Sequence, residues 1–292
     1  MNDASPEGAP ADAAATAVAD PPASKAGRDL RAAVGVGLLL AGLVIGTLVV
    51  DARAFLAVVV VAVTYGAWEV RRAVATKGIG VPLPPLLLGS AGMLVASYLR
   101  GPDALVVTFG LTIVGLIVWR VADGLAGAAR DLSASAFVVF YPVFLGGFAS
   151  LMLAAPDGRQ RIIVFVLVTA FSDIGGYAVG VRLGRHPMAP SLSPKKSWEG
   201  FAGSVVTCAL VGAASLPLLL DGAWWAGAVL GVVAAGAATL GDLIESSIKR
   251  DLGIKDMGAL LPGHGGLMDR LDSLVVVAPV AWALLIWFVP LG

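Results

Sequence analysis

Cysteine is nearly absent from this 292-residue chain. Cys208 stands alone, so no disulfide can form within it. The single cysteine also excludes multi-cysteine zinc sites, and the two histidines leave little room for a histidine-based one. Charge is scarce as well: Asp, Glu, Lys and Arg make up 14% of the chain, against about 25% in an ordinary soluble domain. Twenty basic residues balance twenty acidic ones, so the cationic excess of a nucleic-acid binder is missing. Neither a Walker A pattern nor a GxGxxG run occurs, which removes both standard nucleotide cradles.

What is present in excess is apolar. Hydrophobic residues are 58% of the chain and the mean hydropathy is +0.89. That composition excludes an ordinary soluble enzyme and a disordered scaffold alike. A membrane-spanning helix needs about 20 mostly apolar residues. Runs of that kind fall at 32–50, 54–70, 82–99, 104–119, 133–154, 162–181, 201–220, 223–246 and 272–290. The expected fold is therefore all-α: a polytopic integral membrane bundle of about nine transmembrane helices. Residues 28–292 form this membrane domain. Residues 1–27 are rich in Ala and Pro, with no long apolar run and no basic start, and read as a disordered cytoplasmic tail rather than a signal peptide.

Orientation follows from the basic residues. With the N-terminus in the cytoplasm, sixteen of the twenty fall on inside segments, and only Arg53, Arg100, Arg159 and Arg161 fall outside. Nine spans then put the C-terminus outside a cell membrane. Glycines four apart (Gly42 and Gly46; Gly176, Gly180 and Gly184; Gly227 and Gly231) mark faces for close helix packing. Trp224, Trp225 and Trp287 read as interfacial anchors, Glu69 as an interfacial residue ending the second span, and Cys208 as a small buried hydrophobe.

Polar chemistry is concentrated on the inside, in and beside the loops 182–200 and 247–271. Asp173, in the pair Ser172-Asp173, lies about 13 Å into the sixth span at 1.5 Å per residue. A carboxyl at that depth is costly and is a functional candidate. The stretch Ser193-Pro194-Lys195-Lys196-Ser197-Trp198-Glu199-Gly200 places two lysines before a helix N-terminus, which suits a phosphate. The third cluster runs from Gly241-Asp242 through Glu245-Ser246, Lys249-Arg250, Lys255-Asp256 and Pro262-Gly263-His264-Gly265-Gly266 to Asp269-Arg270-Leu271-Asp272-Ser273. Asp242, Glu245 and Lys249 share one helical face, and so do Asp269 and Asp272. Asp242 ends one span and Asp269 opens the next, so antiparallel neighbours would bring both carboxyls to one depth. Carboxylates held that close need a cation, and an oxygen-rich site that also takes phosphate suits Mg²⁺. The glycines around His264 let backbone amides approach an anion. Metal-assisted phosphoryl or nucleotidyl transfer at a lipid surface is the class this pattern points to.

The third cluster resembles the hallmark motif of the phosphatidate cytidylyltransferases, also called CDP-diacylglycerol synthases. About ten positions match in fixed order between Ser247 and Ser273, and the weaker resemblance extends over roughly residues 30–292. The resemblance implies transfer of the cytidylyl group from CTP to phosphatidic acid, giving CDP-diacylglycerol and pyrophosphate. It implies a divalent metal held by Asp242 and Asp269, with K⁺ as a second ion, a homodimer, and membrane lipids as partners. Lys249 and Arg250 join the two aspartates as catalytic candidates, and Lys195 and Lys196 clamp phosphate. The substrate-binding set is completed by Ser172, Asp173, Ser197, Glu199, Ser246, Lys255, Asp256, His264, Gly265, Gly266, Arg270 and Asp272, with Asp173 and Glu245 as further metal ligands. The competing readings are a CTP-dependent enzyme for another lipid phosphate, an ether lipid or a polyprenol, and an ion-coupled transporter using Asp173 and Asp242.

Overall fold

The computed structural model describes Gly37, Leu39 and residues 42–260 and 265–290. The tail 1–27, His264 and the glycine and proline before it therefore lie outside the described residues. A first helix, α1, covers residues 42–50. It is followed by α2 (Ala52–Ala75), α3 (Leu83–Arg100) and α4 (Pro102–Ala122). The next span is composite: α5 (Ala128–Val138), a π-helical turn (Val139–Phe144) and α6 (Leu145–Leu153). Pro142 lies in the π turn, where its missing N–H and its ring break the regular ladder. The chain continues as α7 (Gly158–Leu183), the strands β1 (Pro187–Ala189) and β2 (Ser193–Ser197), α8 (Trp198–Leu220), α9 (Trp224–Leu252) and α10 (Met268–Phe288).

The all-α membrane bundle is borne out. Seven of these segments are long and apolar enough to cross a membrane. The 18-residue α3, with two prolines and a terminal arginine, is less apolar, and α1 is described only in part, so the count of nine spans is approximate. One departure from an all-helical reading is the antiparallel β1–β2 hairpin inside the expected loop 182–200.

Two apolar cores hold the bundle. One joins α2, α6, α7, α8, α9 and α10 around residues such as Ile162, Val168, Leu216 and Leu230. The other joins α2, α3, α4 and the composite span around Leu86, Met93, Leu116 and Val138. The helices α7, α8 and α9 pack side by side along much of their length. The crossing of α8 and α9 depends on absent side chains: a Cβ at Gly212 or at Gly227 would collide with the other's backbone carbonyl. The expected packing role of Gly227 and Gly231 is thus met, whereas among the described residues nothing lies close to Gly42 or Gly46. Cys208 is fully buried and its thiol donates to Val168 O at 3.1 Å.

Trp224, Trp225 and Trp287 are all exposed at one end of the bundle. The C-terminal ends of α2, α7 and α9 and the N-terminal ends of α8 and α10 gather at the other end, and the polar residues gather with them.

Candidate active site

Two helices carry most of the chemistry. The helix α9 does not stop at Asp242 but runs ten residues further, to Leu252. This corrects the expected depth match. Asp242 lies opposite Ser273, whose hydroxyl donates to Asp242 Oδ1 at 2.6 Å. Asp269 meets α9 nearer that helix's C-terminal end, through Lys249 Nζ at 2.8 Å. The same ammonium donates to Glu245 Oε2 at 2.6 Å, so one cation bridges two helices. The helical face predicted for Asp242, Glu245 and Lys249 is the face that meets α10.

The chain between α9 and α10 folds back onto Asp269. Its carboxyl accepts the Met257 amide at 3.0 Å and the Gly266 amide at 2.6 Å. Gly265 beside it takes a left-handed φ of 79°. Asp256 and Lys255 are exposed on this segment, and Arg270 is exposed on the first turn of α10. Glu69 overturns its expectation. It is 1% exposed rather than interfacial, and its Oε2 accepts the Met268 amide at 2.7 Å.

The hairpin supplies the lysines. Lys196 Nζ bonds directly to Asp242 Oδ2, and Lys195 is exposed beside it. Ser197 caps α8 by accepting the Gly200 amide at 3.1 Å. Glu199 Oε2 accepts the amides of Arg185 and His186 at 3.1 and 3.2 Å, and its Oε1 lies 2.5 Å from His186 Nδ1. These contacts of Ser197 and Glu199 hold the hairpin in place.

Two cavities meet at this hairpin. The first, about 330 Å³, lies between α7, α8, α9 and β2. Ser172, Asp173, Lys196 and Asp242 supply its polar wall, and Tyr177 and Phe201 its apolar one. Asp173 is open to this space rather than packed against a neighbouring helix. The second cavity, about 590 Å³, lies between the hairpin and the end of α9. Lys195, Lys249, Arg250 and Lys255 line it together with Ser246. Ser193 and Lys195 belong to both walls, so the spaces adjoin.

Among the described residues no group of three or more His, Cys, Asp or Glu forms a ready-made metal cage. The donor chemistry nevertheless fits a hard cation. Asp242, Glu245, Asp269 and Asp272 line the α9–α10 seam, and Glu245 Oε1 is buried with no hydrogen-bond partner among the described residues. An orphaned carboxyl oxygen in an oxygen-only set is what Mg²⁺ would complete.

Residues 31–288 match the cytidylyltransferase family across most of the chain. The chain belongs to that family. Among its relatives is a protein of Mycobacterium leprae named phosphatidate cytidylyltransferase, 39% identical over 277 residues, 89% of each chain. A protein of the same name from Mycobacterium bovis is 40% identical over 275 residues, 90% of each chain. A more distant one from Staphylococcus saprophyticus is 36% identical over 155 residues, covering 52% of this chain and 59% of its own. The α9–α10 motif thus lies in a cytidylyltransferase, and the two adjoining cavities are those of a family member.

Proposed function

We propose that this protein transfers the cytidylyl group of CTP to phosphatidic acid, giving CDP-diacylglycerol and pyrophosphate, at the cytoplasmic face of a cell membrane. The observation that carries the reading is the pair of adjoining cavities. One is lined by four cations and suits a triphosphate; the other joins a polar floor to aromatic walls and suits a lipid phosphate. The names of the relatives support the same substrates. The excess of basic residues on the hairpin side supports the cytoplasmic assignment.

In the proposed reaction a phosphatidate phosphate oxygen forms a bond to the α-phosphorus of CTP. The bond to the bridging α–β oxygen breaks, and pyrophosphate leaves with that electron pair. The attacking phosphate is already anionic, since its second pKa is about 6, so no strong general base is required. Positioning and electrostatics carry the rate. Lys195, Lys249, Arg250 and Lys255 hold the β- and γ-phosphates and take up the charge of the departing pyrophosphate. Lys196, fixed by Asp242, orients the attacking phosphate where the cavities meet. A divalent cation held by Asp242 and Asp269, with Asp173 and Glu245 as further ligands, would neutralise the triphosphate. Mg²⁺ as that cation, K⁺ beside it and a homodimeric assembly belong to the same proposal through the family resemblance.

The test uses membranes containing the full chain, with labelled CTP, Mg²⁺ and phosphatidic acid. Label should enter the lipid phase only when phosphatidic acid and metal are both present. Label that instead requires an ether-lipid phosphate or a polyprenyl phosphate would redirect the acceptor. No transfer to any lipid phosphate by correctly inserted protein would overturn the reading.

A further inference from the structure

The residue that sequence reasoning missed is the most deeply buried acid near the site. Glu69 sits near the C-terminal end of α2, and its 1% exposure means that the rest of the fold closes over it. A buried carboxyl costs stability unless its oxygens are used. An apolar residue would fill the same space at no such cost. One oxygen, Oε2, accepts the Met268 amide at the first residue of α10. The other, Oε1, is buried with no hydrogen-bond partner among the described residues.

What presses on this carboxyl is the connection between α9 and α10. A Cβ at Gly266 would lie 2.7 Å from Oε2, 2.8 Å from Oε1 and 2.7 Å from the Gly258 amide nitrogen. A Cβ at Gly258 would collide with Oε1. Two backbone points eight residues apart are therefore drawn together over one side chain, and only glycine allows either approach. Those points adjoin the amides that hold Asp269: Met257 precedes Gly258, and the Gly266 amide itself donates to Asp269 Oδ2. The chain of contacts runs from Glu69 to the motif backbone, from there to Asp269, and from Asp269 through Lys249 to Glu245.

We propose that Glu69 is a positioning residue for the cytidylyl-transfer site, acting through the backbone at Met257, Gly258, Gly266 and Met268 to hold Asp269 in place. It lines neither of the two cavities. This inference rests on the functional reading above for its kinetic consequence, whereas its structural half stands apart from activity.

The experiment compares full-length wild type, Glu69→Gln, Gly266→Ala and the double variant in detergent-solubilised form. It measures kcat and KM for CTP and phosphatidic acid, together with deuterium uptake by peptides covering 257–268 and by peptides of α8. Glu69→Gln places an NH₂ where Oε1 faces the loop backbone. It should lower kcat roughly 10- to 100-fold, as loss of supporting contacts behind an active-site carboxylate does. KM for phosphatidic acid should stay within about threefold, because the lipid cavity is untouched. Uptake should rise in 257–268 and not in α8. Gly266→Ala crowds the same oxygens from the loop side and should do likewise, so it carries the test if Glu69→Gln does not insert. The double variant should be little worse than the poorer single one, since both break one contact. Unchanged kcat in both single variants would overturn the proposal. So would lost activity with unaltered uptake in 257–268, or uptake rising equally in α8, the mark of general destabilisation. If wild type itself moves no label from CTP to phosphatidic acid, the functional reading fails, and the uptake pattern still decides whether Glu69 holds the loop.

Discussion

The two ends of the bundle treat buried charge in opposite ways. At the tryptophan end, Arg161 is only 2% exposed, yet all its contacts close on themselves. Its guanidinium donates to both Asp157 oxygens, at 2.6 and 2.9 Å, and to Val289 O at 2.7 Å. One cation meets one carboxylate and one carbonyl. At the hairpin end, Asp242, Glu245, Lys249 and Asp269 also interact, but the set is open. Among the described residues Glu245 Oε1 has no hydrogen-bond partner, and Lys195, Arg250 and Lys255 face a cavity. A closed pair ties chain segments together. An open set of the same residue types keeps electrostatic capacity for something that arrives, and this separates structural charge from functional charge without reference to residue type.

The comparison can be broken by substitution. The largest effect is expected for Asp242→Asn, which keeps size and removes charge where the two cavities meet. Transfer of label from CTP to lipid should fall about 10²- to 10³-fold, the scale of losing one electrostatic contact in a transition state, with the folded yield retained. Lys249→Met comes next. It removes the cation that bridges Glu245 and Asp269, which are nearly buried. Turnover should drop, and stability should fall by about 3 kcal/mol, as when a buried pair loses one partner; unfolding in mild denaturant measures it. Arg161→Ala should do the reverse of Asp242→Asn. Asp157 is partly exposed and can rehydrate, so the stability loss should be about 2 kcal/mol, with turnover per folded molecule unchanged. The smallest effect belongs to Arg250→Ala on the exposed rim. kcat/KM for CTP should fall about tenfold, shared between a higher KM and a lower kcat, and the difference should shrink in high salt. An Arg161 variant that folds yet loses turnover would erase the contrast between the ends.

Much of this was legible in the chain itself. Hydropathy placed the spans because lipid demands about 20 apolar residues whatever the neighbouring helices do. Helical periodicity put Asp242, Glu245 and Lys249 on one face, and that face meets α10. The depth match of Asp242 with Asp269 was misjudged because the polar residues 247–252 look like loop in a hydropathy scan, although they continue α9 by more than a turn. Glu69 was misjudged for a related reason. A lone Glu near the end of an apolar run has the signature of an interfacial residue, and nothing local shows that a glycine-rich segment 199 residues away folds onto it. The one signal was the pairing of that Glu with glycines in the distant motif, which no periodicity reveals. The hairpin went unread because its five-residue strand contains Pro194 and two lysines, a composition that looks like loop.

By itself, then, the sequence determined that this protein is a membrane bundle, that its polar residues crowd one end, and which of them share a helix face. These properties are set by transfer from water to lipid and by the 3.6-residue turn, both of which act within a segment. The tertiary structure alone decided that Lys196 meets Asp242, that Lys249 bridges Glu245 and Asp269, and that Glu69 lies beneath the motif loop. Those contacts depend on the axial stagger and rotation of one helix against another. That stagger is chosen by small residues such as Gly212 and Gly227 and by the loops that close on them, and it is not encoded in any one segment.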